Sequence, residues 1–142
     1  MNREEIKKLL PHREPMLLVD EAEAVDEKTA RGSYTIKGDE FFLQGHFPGQ
    51  PVAPGVMLCE MMAQTCCVLL SGQSGGKTPY FTSLDKVKFK KTVLPGDKLE
   101  IECVITNQKG PFYFAQGKGR VGGKLAVSAD FSFALIDNSE RK

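Results

Sequence analysis

Residues 56–70 form an apolar stretch, VMLCEMMAQTCCVLL, which Pro54-Gly55 precedes and Gly72 follows. Proline at the start of a helix and glycine just after its end are the usual boundary signals. The stretch therefore predicts a helix of about sixteen residues, roughly 24 Å long. Its apolar side chains surround the helix axis, and such a helix must be covered by the rest of the protein. We expect it at the centre of the fold.

The sequence on either side of this helix has the pattern of β-strands. Apolar residues occupy every second position in 99–105 and again in 125–135, which predicts strands with one core-facing side. The remaining predicted elements and connections are a short helix at 3–10, a hairpin of strands 16–25 and 29–37, strands at 79–91 and 98–107, turns at 94–97, 109–111 and 122–123, and a flexible connection at 71–76. The simplest arrangement is of the α+β class: a curved antiparallel sheet wrapped around one central helix.

The overall composition fits one soluble domain spanning residues 1–142. Nineteen basic and eighteen acidic residues give a net charge of +1, so no strong field favours nucleic acid or an anionic membrane. The apolar stretch is interrupted by Glu60 and Gln64, and the first residues have no apolar core, which argues against membrane insertion and a signal peptide. The four cysteines show no metal-binding or disulfide spacing, so we expect reduced core thiols in the cytoplasm and no metal.

Glu60 is the one carboxylate in the apolar stretch, and His46 precedes it by fourteen residues. An ionised carboxylate in apolar surroundings is costly, and such a group commonly holds its proton near neutrality, which makes it a proton donor. Histidine is well suited to be the complementary base. An acid and a base set apart by their surroundings indicate acid–base catalysis.

The residues around this pair fit such a role. Glycines and prolines make 46–55 a stiff loop that leads into a helix N-terminus, where unpaired N–H groups could bind an oxyanion. Gln64 follows Glu60 by one helical turn and could orient its carboxyl group. The residues alone leave the ordinary interpretation open, in which the histidine only tethers a loop and the glutamate lies at the edge of an apolar face.

Three longer segments resemble one enzyme family. LPHREPMLLVD at 10–20, FFLQGHFPGQPVAPGVMLCEMMAQTCCVLL at 41–70 and PYFTSLDKVKFKKTVLPGD at 79–97 are similar in order and spacing to the β-hydroxyacyl-acyl carrier protein dehydratases of bacterial type II fatty acid synthesis, the FabZ type. The motif GHFPGxPVxPGV followed by E-x-x-A-Q is highly specific. The resemblance implies a hot-dog fold, assembled as dimers and usually as a trimer of dimers.

The resemblance also implies residue roles. His46 would be the base and Glu60 the acid, contributed by different subunits of the dimer to one acyl tunnel. Gly55, Phe47, Val56 and Gln64 would bind substrate, with the Gly55 N–H polarising the thioester carbonyl. The partner would be acyl carrier protein bearing a 3-hydroxyacyl-phosphopantetheine group, and no cofactor is implied. Lys86, Lys88 and Lys90 are a candidate docking patch for that carrier, and a solvated strand face explains them equally well.

Two positions depart from the commoner family pattern. Glu14 stands where an aromatic residue is frequent, and Ala53 stands where Met is frequent. Either substitution could reshape the tunnel and change chain-length preference. His12, which has no carboxylate partner nearby in the sequence, is expected to be structural, tying the N-terminal segment to the sheet.

Alternative functions remain compatible with the sequence. A bifunctional enzyme would also isomerise the trans-2 product to the cis-3 form, although such relatives typically have Asp in place of Glu60 and longer chains. An acyl thioesterase of the same fold and a non-catalytic acyl-binding module are further alternatives. The retained pair of His46 and Glu60 argues against a passive module.

Overall fold

A sheet and one long helix make up most of the computed structural model, which describes residues 1–70 and 76–140. The helices are α1 (Arg3–Ile6) and α2 (Gly55–Cys67), and the strands are β1 (Glu21–Ala24), β2 (Thr29–Thr35), β3 (Lys77–Phe89), β4 (Lys98–Lys109), β5 (Phe112–Val121) and β6 (Lys124–Asp137). Short 3-10 helices occupy Phe41–Leu43, Val68–Leu70 and Asn138–Glu140. The six strands lie in the order β1-β2-β4-β5-β6-β3, and every neighbouring pair is antiparallel. The predicted fold class is confirmed.

Helix α2 packs against four strands, β2, β4, β5 and β6. From Leu58 onward its residues are buried except for the partly exposed Glu60, whereas Val56 in the first turn is 65% exposed. The predicted central position is therefore confirmed for most of the helix, and its N-terminal turn is open. The helical conformation continues as a 3-10 helix to Leu70, close to the predicted end.

Two glycines let the sheet approach α2 closely. A Cβ atom on Gly32 of β2 would lie 2.9 Å from Thr65 Cγ2, and one on Gly117 of β5 would lie 2.9 Å from Met62 Sδ. Both distances are too short for a real contact, so a side chain at either position would push helix and sheet apart. Loss of close packing in a core typically costs a few kcal/mol, of order 1–3.

The N-terminal region departs from the predicted elements. The Asn2–Glu5 capping box is present, but α1 ends at Ile6 and the chain continues in tighter turns instead of reaching residue 10. The first predicted strand, 16–25, is reduced to β1. Residues 17–19, which precede β1, are buried. The Leu18 N–H donates to the Gln64 side chain, and the Leu17 carbonyl accepts from Arg3. Side chains thus take backbone groups that a longer strand would have paired.

The second half follows the predicted pattern closely. Strands β3 and β4 begin and end within two residues of the predicted bounds. Gly122 and Gly123 both have positive φ angles, 58° and 81°, in the two-residue loop between β5 and β6. Two left-handed residues are what the favoured tight hairpin turn requires. The predicted connection at 71–76 lies outside the described residues except for Gly76.

Strand β3 forms one edge of the sheet and is irregular. Its pairing with β6 shifts register between Phe81 and Ser83 and again between Asp85 and Lys88. Lys86 lies in the second irregularity with φ of 51°, unusual for a residue with a side chain. Much of the strand is exposed, including apolar side chains such as Leu84.

The four cysteines, Cys59, Cys66, Cys67 and Cys103, are all unpaired and buried, as predicted. Burial raises the pKa of the Cys66 thiol to about 12 and that of Cys103 well above its ordinary value. Across residues 1–70 and 76–140, no helix combines the length and hydropathy needed to cross a membrane.

Candidate active site

His46 lies in the loop between the 3-10 helix at Phe41–Leu43 and α2. Its N–H donates to the Leu43 carbonyl at 3.1 Å, and its carbonyl accepts from the Val52 N–H at 2.9 Å. These bonds fold the loop back on itself just before the helix. The ring is half-buried and stacks on Phe47, with 4.2 Å between ring centroids.

The same loop selects the tautomer of the neutral His46 ring. Nδ1 lies 3.0 Å from the Val52 carbonyl oxygen. Because a carbonyl oxygen can only accept, Nδ1 carries the hydrogen when the ring is neutral, and Nε2 keeps a free lone pair. The local backbone therefore holds His46 in the tautomer that a general base using Nε2 requires.

The N-terminus of α2 adjoins His46 in an open cleft of about 540 Å³. Pro54, in extended conformation, leads directly into Gly55, so the first-turn N–H groups of the helix begin beside the histidine. Phe89 packs over Gly55, where an added Cβ atom would lie only 2.6 Å from its ring. The cleft is lined by His46, Ala53, Pro54, Gly55, Val56, Leu58, Phe89, Lys90, Lys91, Thr92 and Val93.

Glu60 lies farther along α2, with 20% of its side chain exposed. Gln64 donates from Nε2 to Glu60 Oε2 at 2.8 Å, as predicted from the helical spacing. Gln64 is itself 1% exposed and fixed by two backbone contacts: it accepts from the Leu18 N–H and donates to the Met16 carbonyl, each at 2.8 Å. A buried, fully bonded amide therefore orients the carboxyl group.

Glu60 also lines a smaller, partly enclosed cavity of about 60 Å³. Its wall is mostly apolar and includes the exposed edge strand β3. The lining residues are His12, Glu60, Ala63, Gln64, Cys67, Pro79, Tyr80, Phe81 and Phe133. The cavity can hold a small polar group beside the carboxyl.

Within one chain, His46 and Glu60 line different cavities. Gly55 and Val56 line the cleft of His46, Phe47 stacks on its ring, and Gln64 accompanies Glu60. A single copy therefore divides the predicted site residues into a histidine group and a glutamate group.

His12 has a carboxylate partner in the fold, although none lies nearby in the sequence. Its Nε2 lies 3.5 Å from Glu60 Oε2. The partner is 48 residues away in the sequence, so local inspection could not find it. A usable signal was the LPHREPMLLVD motif, whose Met16 and Leu18 backbone groups also hold Gln64.

The predicted lysine patch differs in detail. Lys86, Lys88 and Lys90 are all exposed, but they do not alternate regularly along one strand face. Lys86 lies in the irregularity of β3, and Lys90 follows the end of that strand at Phe89. Lys90 and Lys91 line the His46 cleft, and sequence inspection did not single out Lys91.

The two departures from the family pattern lie in different places. Ala53 is buried in the wall of the His46 cleft. Glu14 instead has 52% of its side chain exposed and pairs with Arg3 and Lys7, each at 3.0 Å. Glu14 lines neither of the two site cavities of a single chain, and its expected effect on the tunnel stays a prediction.

Known proteins are similar to this chain over nearly its whole length. Residues 10–130 match the family model described as FabA-like domain. A protein of Clostridium perfringens strain SM101 named 3-hydroxyacyl-[acyl-carrier-protein] dehydratase FabZ is 44% identical over 137 residues, covering 95% of this chain and 99% of the relative. A protein of the same name from Natranaerobius thermophilus is 45% identical over 136 residues, covering 94% and 96%.

One solved structure extends this likeness to the fold. The Dehydratase Heterocomplex ApeI:P from Xenorhabdus doucetiae superposes with a TM-score of 0.82 at 21% identity, covering 95% of this chain and 93% of that one. At this identity the likeness shows the hot-dog fold alone. The family model and the near full-length relatives carry the assignment: the chain belongs to the FabA-like family and, within it, to the FabZ-type 3-hydroxyacyl-acyl carrier protein dehydratases.

Proposed function

We propose that this protein removes water from (3R)-hydroxyacyl-acyl carrier protein to give trans-2-enoyl-acyl carrier protein in fatty acid biosynthesis. The observation that carries the proposal is the contact of His46 Nδ1 with the Val52 carbonyl, which leaves Nε2 of the neutral ring available as a base. The names of relatives that are 44% and 45% identical support the same reaction.

The reaction needs three groups. His46 Nε2 takes the α-proton, and the Gly55 N–H at the start of α2 stabilises the negative charge that develops on the thioester oxygen. The electron pair then forms the Cα–Cβ double bond while the Cβ–O bond breaks. Glu60 gives its proton to the departing hydroxyl group, which leaves as water. His46 then carries the α-proton and Glu60 is ionised, and exchange with solvent restores both groups.

We further propose that the active site is shared between two copies. The separation of His46 and Glu60 into two cavities of one chain supports this arrangement, because a second copy could bring its histidine to the glutamate. Strand β3 is a suitable contact, since it is a thirteen-residue edge strand with exposed Phe81 and Leu84. Long apolar edges rarely stay unpaired in soluble proteins. Three such dimers would form the trimer of dimers that the family resemblance implies.

The carrier protein would approach the His46 cleft. Lys90 and Lys91 line that cleft, and Lys86 and Lys88 are exposed on the preceding strand. This placement supports docking of an acidic carrier beside the cleft. Charge reversal at Lys88 and Lys90 should weaken carrier binding, and unchanged affinity would leave a solvated strand face as the explanation.

The four unpaired thiols support a reducing, cytoplasmic location.

The direct test is incubation with 3-hydroxyacyl-carrier substrates of several lengths, followed by mass spectrometry. Loss of one water is expected, and the position of the double bond separates dehydration alone from additional isomerisation. Release of free carrier thiol would instead indicate a thioesterase. Glu60→Gln should lose about 10²–10⁴-fold in rate, because a positioned proton donor contributes that much. Wild-type rates in that variant would exclude the acid role.

Mixing two inactive variants tests the shared site. If His46→Ala and Glu60→Gln exchange subunits freely, half of the dimers are mixed, and each has one intact site. Activity should therefore return to about a quarter of the wild-type value. No recovery despite demonstrated exchange would exclude shared sites. The mass in solution should be two or six times 15.6 kDa.

A further inference from the structure

His12 occupies a position that the proposed reaction does not explain. Its side chain is 20% exposed, with Nε2 3.5 Å from Glu60 Oε2. The other ring nitrogen, Nδ1, is buried and has no hydrogen-bond partner among the described residues. Of the two histidines in the sequence, His46 is the candidate base and is held by the Val52 carbonyl, whereas His12 faces the candidate acid.

The segment that carries His12 is fixed on both sides of the ring. Arg13 donates to the carbonyls of Leu10 and His12, at 2.9 and 2.7 Å. Glu14 pairs with Arg3 of helix α1, and the Met16 carbonyl accepts from Gln64. The imidazole is thus presented to Glu60 by an anchored backbone.

The ring's surroundings select its tautomer. A hydrogen on Nδ1 would be a buried donor without an acceptor, which costs about 1–3 kcal/mol. A hydrogen on Nε2 instead points toward a carboxyl oxygen. Neutral His12 should therefore carry its hydrogen on Nε2, whereas His46 carries it on Nδ1 beside the Val52 carbonyl.

The consequence concerns the proton of Glu60. Gln64 donates to Oε2, and His12 Nε2 faces the same oxygen. An oxygen that accepts the Gln64 N–H at 2.8 Å and lies 3.5 Å from a second ring nitrogen is a poor place for a carboxylic acid hydrogen, because that hydrogen would be crowded by both groups. The hydrogen is then best placed on Oε1.

We propose that His12 is a positioning residue that, together with Gln64, holds the acidic proton of Glu60 on Oε1, the oxygen left to face the substrate's hydroxyl group. The inference rests on the proposed dehydration, since it assigns His12 a part in delivering that proton. His12 does not itself contact the reacting atoms.

A pair of nearly isosteric variants tests the role. His12→Gln places an amide N–H where Nε2 lies, and His12→Met has similar length without a donor. We expect the Met variant to lose about tenfold in kcat with KM nearly unchanged, the scale of losing one polar contact to a charged or acidic group. The Gln variant should stay within about threefold of wild type. Equal kcat values in the two variants, or a loss confined to KM, would overturn the proposal.

A measurement on the unaltered protein covers the case in which a variant fails to fold. ¹⁵N NMR of histidine-labelled protein reports the tautomer of each ring. The expected result is Nε2–H for His12 and Nδ1–H for His46, and an Nδ1–H tautomer at His12 would refute the inference. If the wild type does not dehydrate its substrate, the proposed function is wrong. The tautomer of His12 still tests separately whether an Nε2–H group faces Glu60.

Discussion

Gln64 joins the carboxyl group of Glu60 to the backbone of Leu18, 46 residues away in the sequence. One buried amide thus links the central helix, the N-terminal segment and the candidate acid. Because Gln64 can be replaced while Glu60 stays in place, the effect of orienting the carboxyl group can be measured separately from the effect of removing it.

Replacing Gln64 with leucine should reduce both stability and activity. The buried Leu18 N–H and the part-buried Met16 carbonyl would lose their partners, each at about 1–3 kcal/mol, so the free energy of unfolding should fall by about 2–6 kcal/mol. We also expect kcat to fall about tenfold as the carboxyl loses its orientation. Urea unfolding and steady-state kinetics measure the two effects.

Thr65→Val is the matched control for that variant. It removes one buried hydrogen bond, from Thr65 Oγ1 to the Met61 carbonyl, in which Glu60 takes no part. It should lower the free energy of unfolding by about 1 kcal/mol and leave kcat unchanged. A Gln64→Leu protein with wild-type kcat would show that the amide has no part in orienting the acid.

Gly55→Ala should lower the free energy of unfolding, because Phe89 packs directly against the start of the helix. The new Cβ would lie 2.6 Å from the Phe89 ring, which must rotate away. Because that ring is 53% exposed, the cost should be only about 1 kcal/mol of unfolding free energy. In a double-mutant cycle, Gly55→Ala should have no cost in a protein that already carries Phe89→Ala. If the two effects on the free energy of unfolding are strictly additive, the cost of Gly55→Ala does not come from a clash with the Phe89 ring.

Much of the fold could be predicted because its signals are local. The apolar stretch at 56–70, the period-two strands and the paired glycines at 122–123 each fix the conformation of their own residues. The family motif likewise predicts His46 and Glu60 as the site residues, and those roles stay predictions. These features depend on neighbours within a few positions, which a sequence displays directly.

The features that could not be predicted depend on contacts between distant segments. Residues 17–19 lie outside β1, and the side chains of Gln64 and Arg3 bond their backbone groups in place of a neighbouring strand. The His12–Glu60 contact spans 48 residues, and nothing local marks either partner for the other. The irregularity at Lys86 likewise depends on pairing with β6. Such contacts follow from tertiary packing, which overrides local preference.

Glu14→Gln should change the acid stability of the protein. A hydrogen bond from its own backbone, followed by those from the Lys7 and Arg3 side chains, lowers the pKa of Glu14 from 4.5 to about 2. A carboxyl whose pKa is lowered by folding contributes stability above its unfolded value, and that contribution is lost as pH falls from about 4.5 to 2. The wild type should therefore lose more stability than the variant across this window.

Unfolding midpoints measured between pH 2 and 7 test this expectation. Glu23→Gln, at an exposed position on β1, is the control for removing a carboxylate and should keep the wild-type slope. Since Glu14 lies outside both site cavities, Glu14→Gln should also keep the wild-type chain-length preference. An altered chain-length preference would show that Glu14 does shape the tunnel.

Ala53→Met should change which acyl chains are accepted. Ala53 is buried beside His46, and its N–H is held by the Val93 carbonyl at 2.8 Å, so the backbone cannot easily retreat. A methionine side chain would then project into the cleft and exclude part of a long substrate. We expect kcat/KM for long 3-hydroxyacyl carriers to fall about tenfold relative to short ones, the usual scale of steric discrimination in an apolar pocket. Competition between carriers of two lengths in one reaction, read by mass spectrometry, gives this ratio directly. Ala53→Ser, which adds little volume, should keep the wild-type ratio, and an unchanged ratio in Ala53→Met would show that this wall does not select chain length.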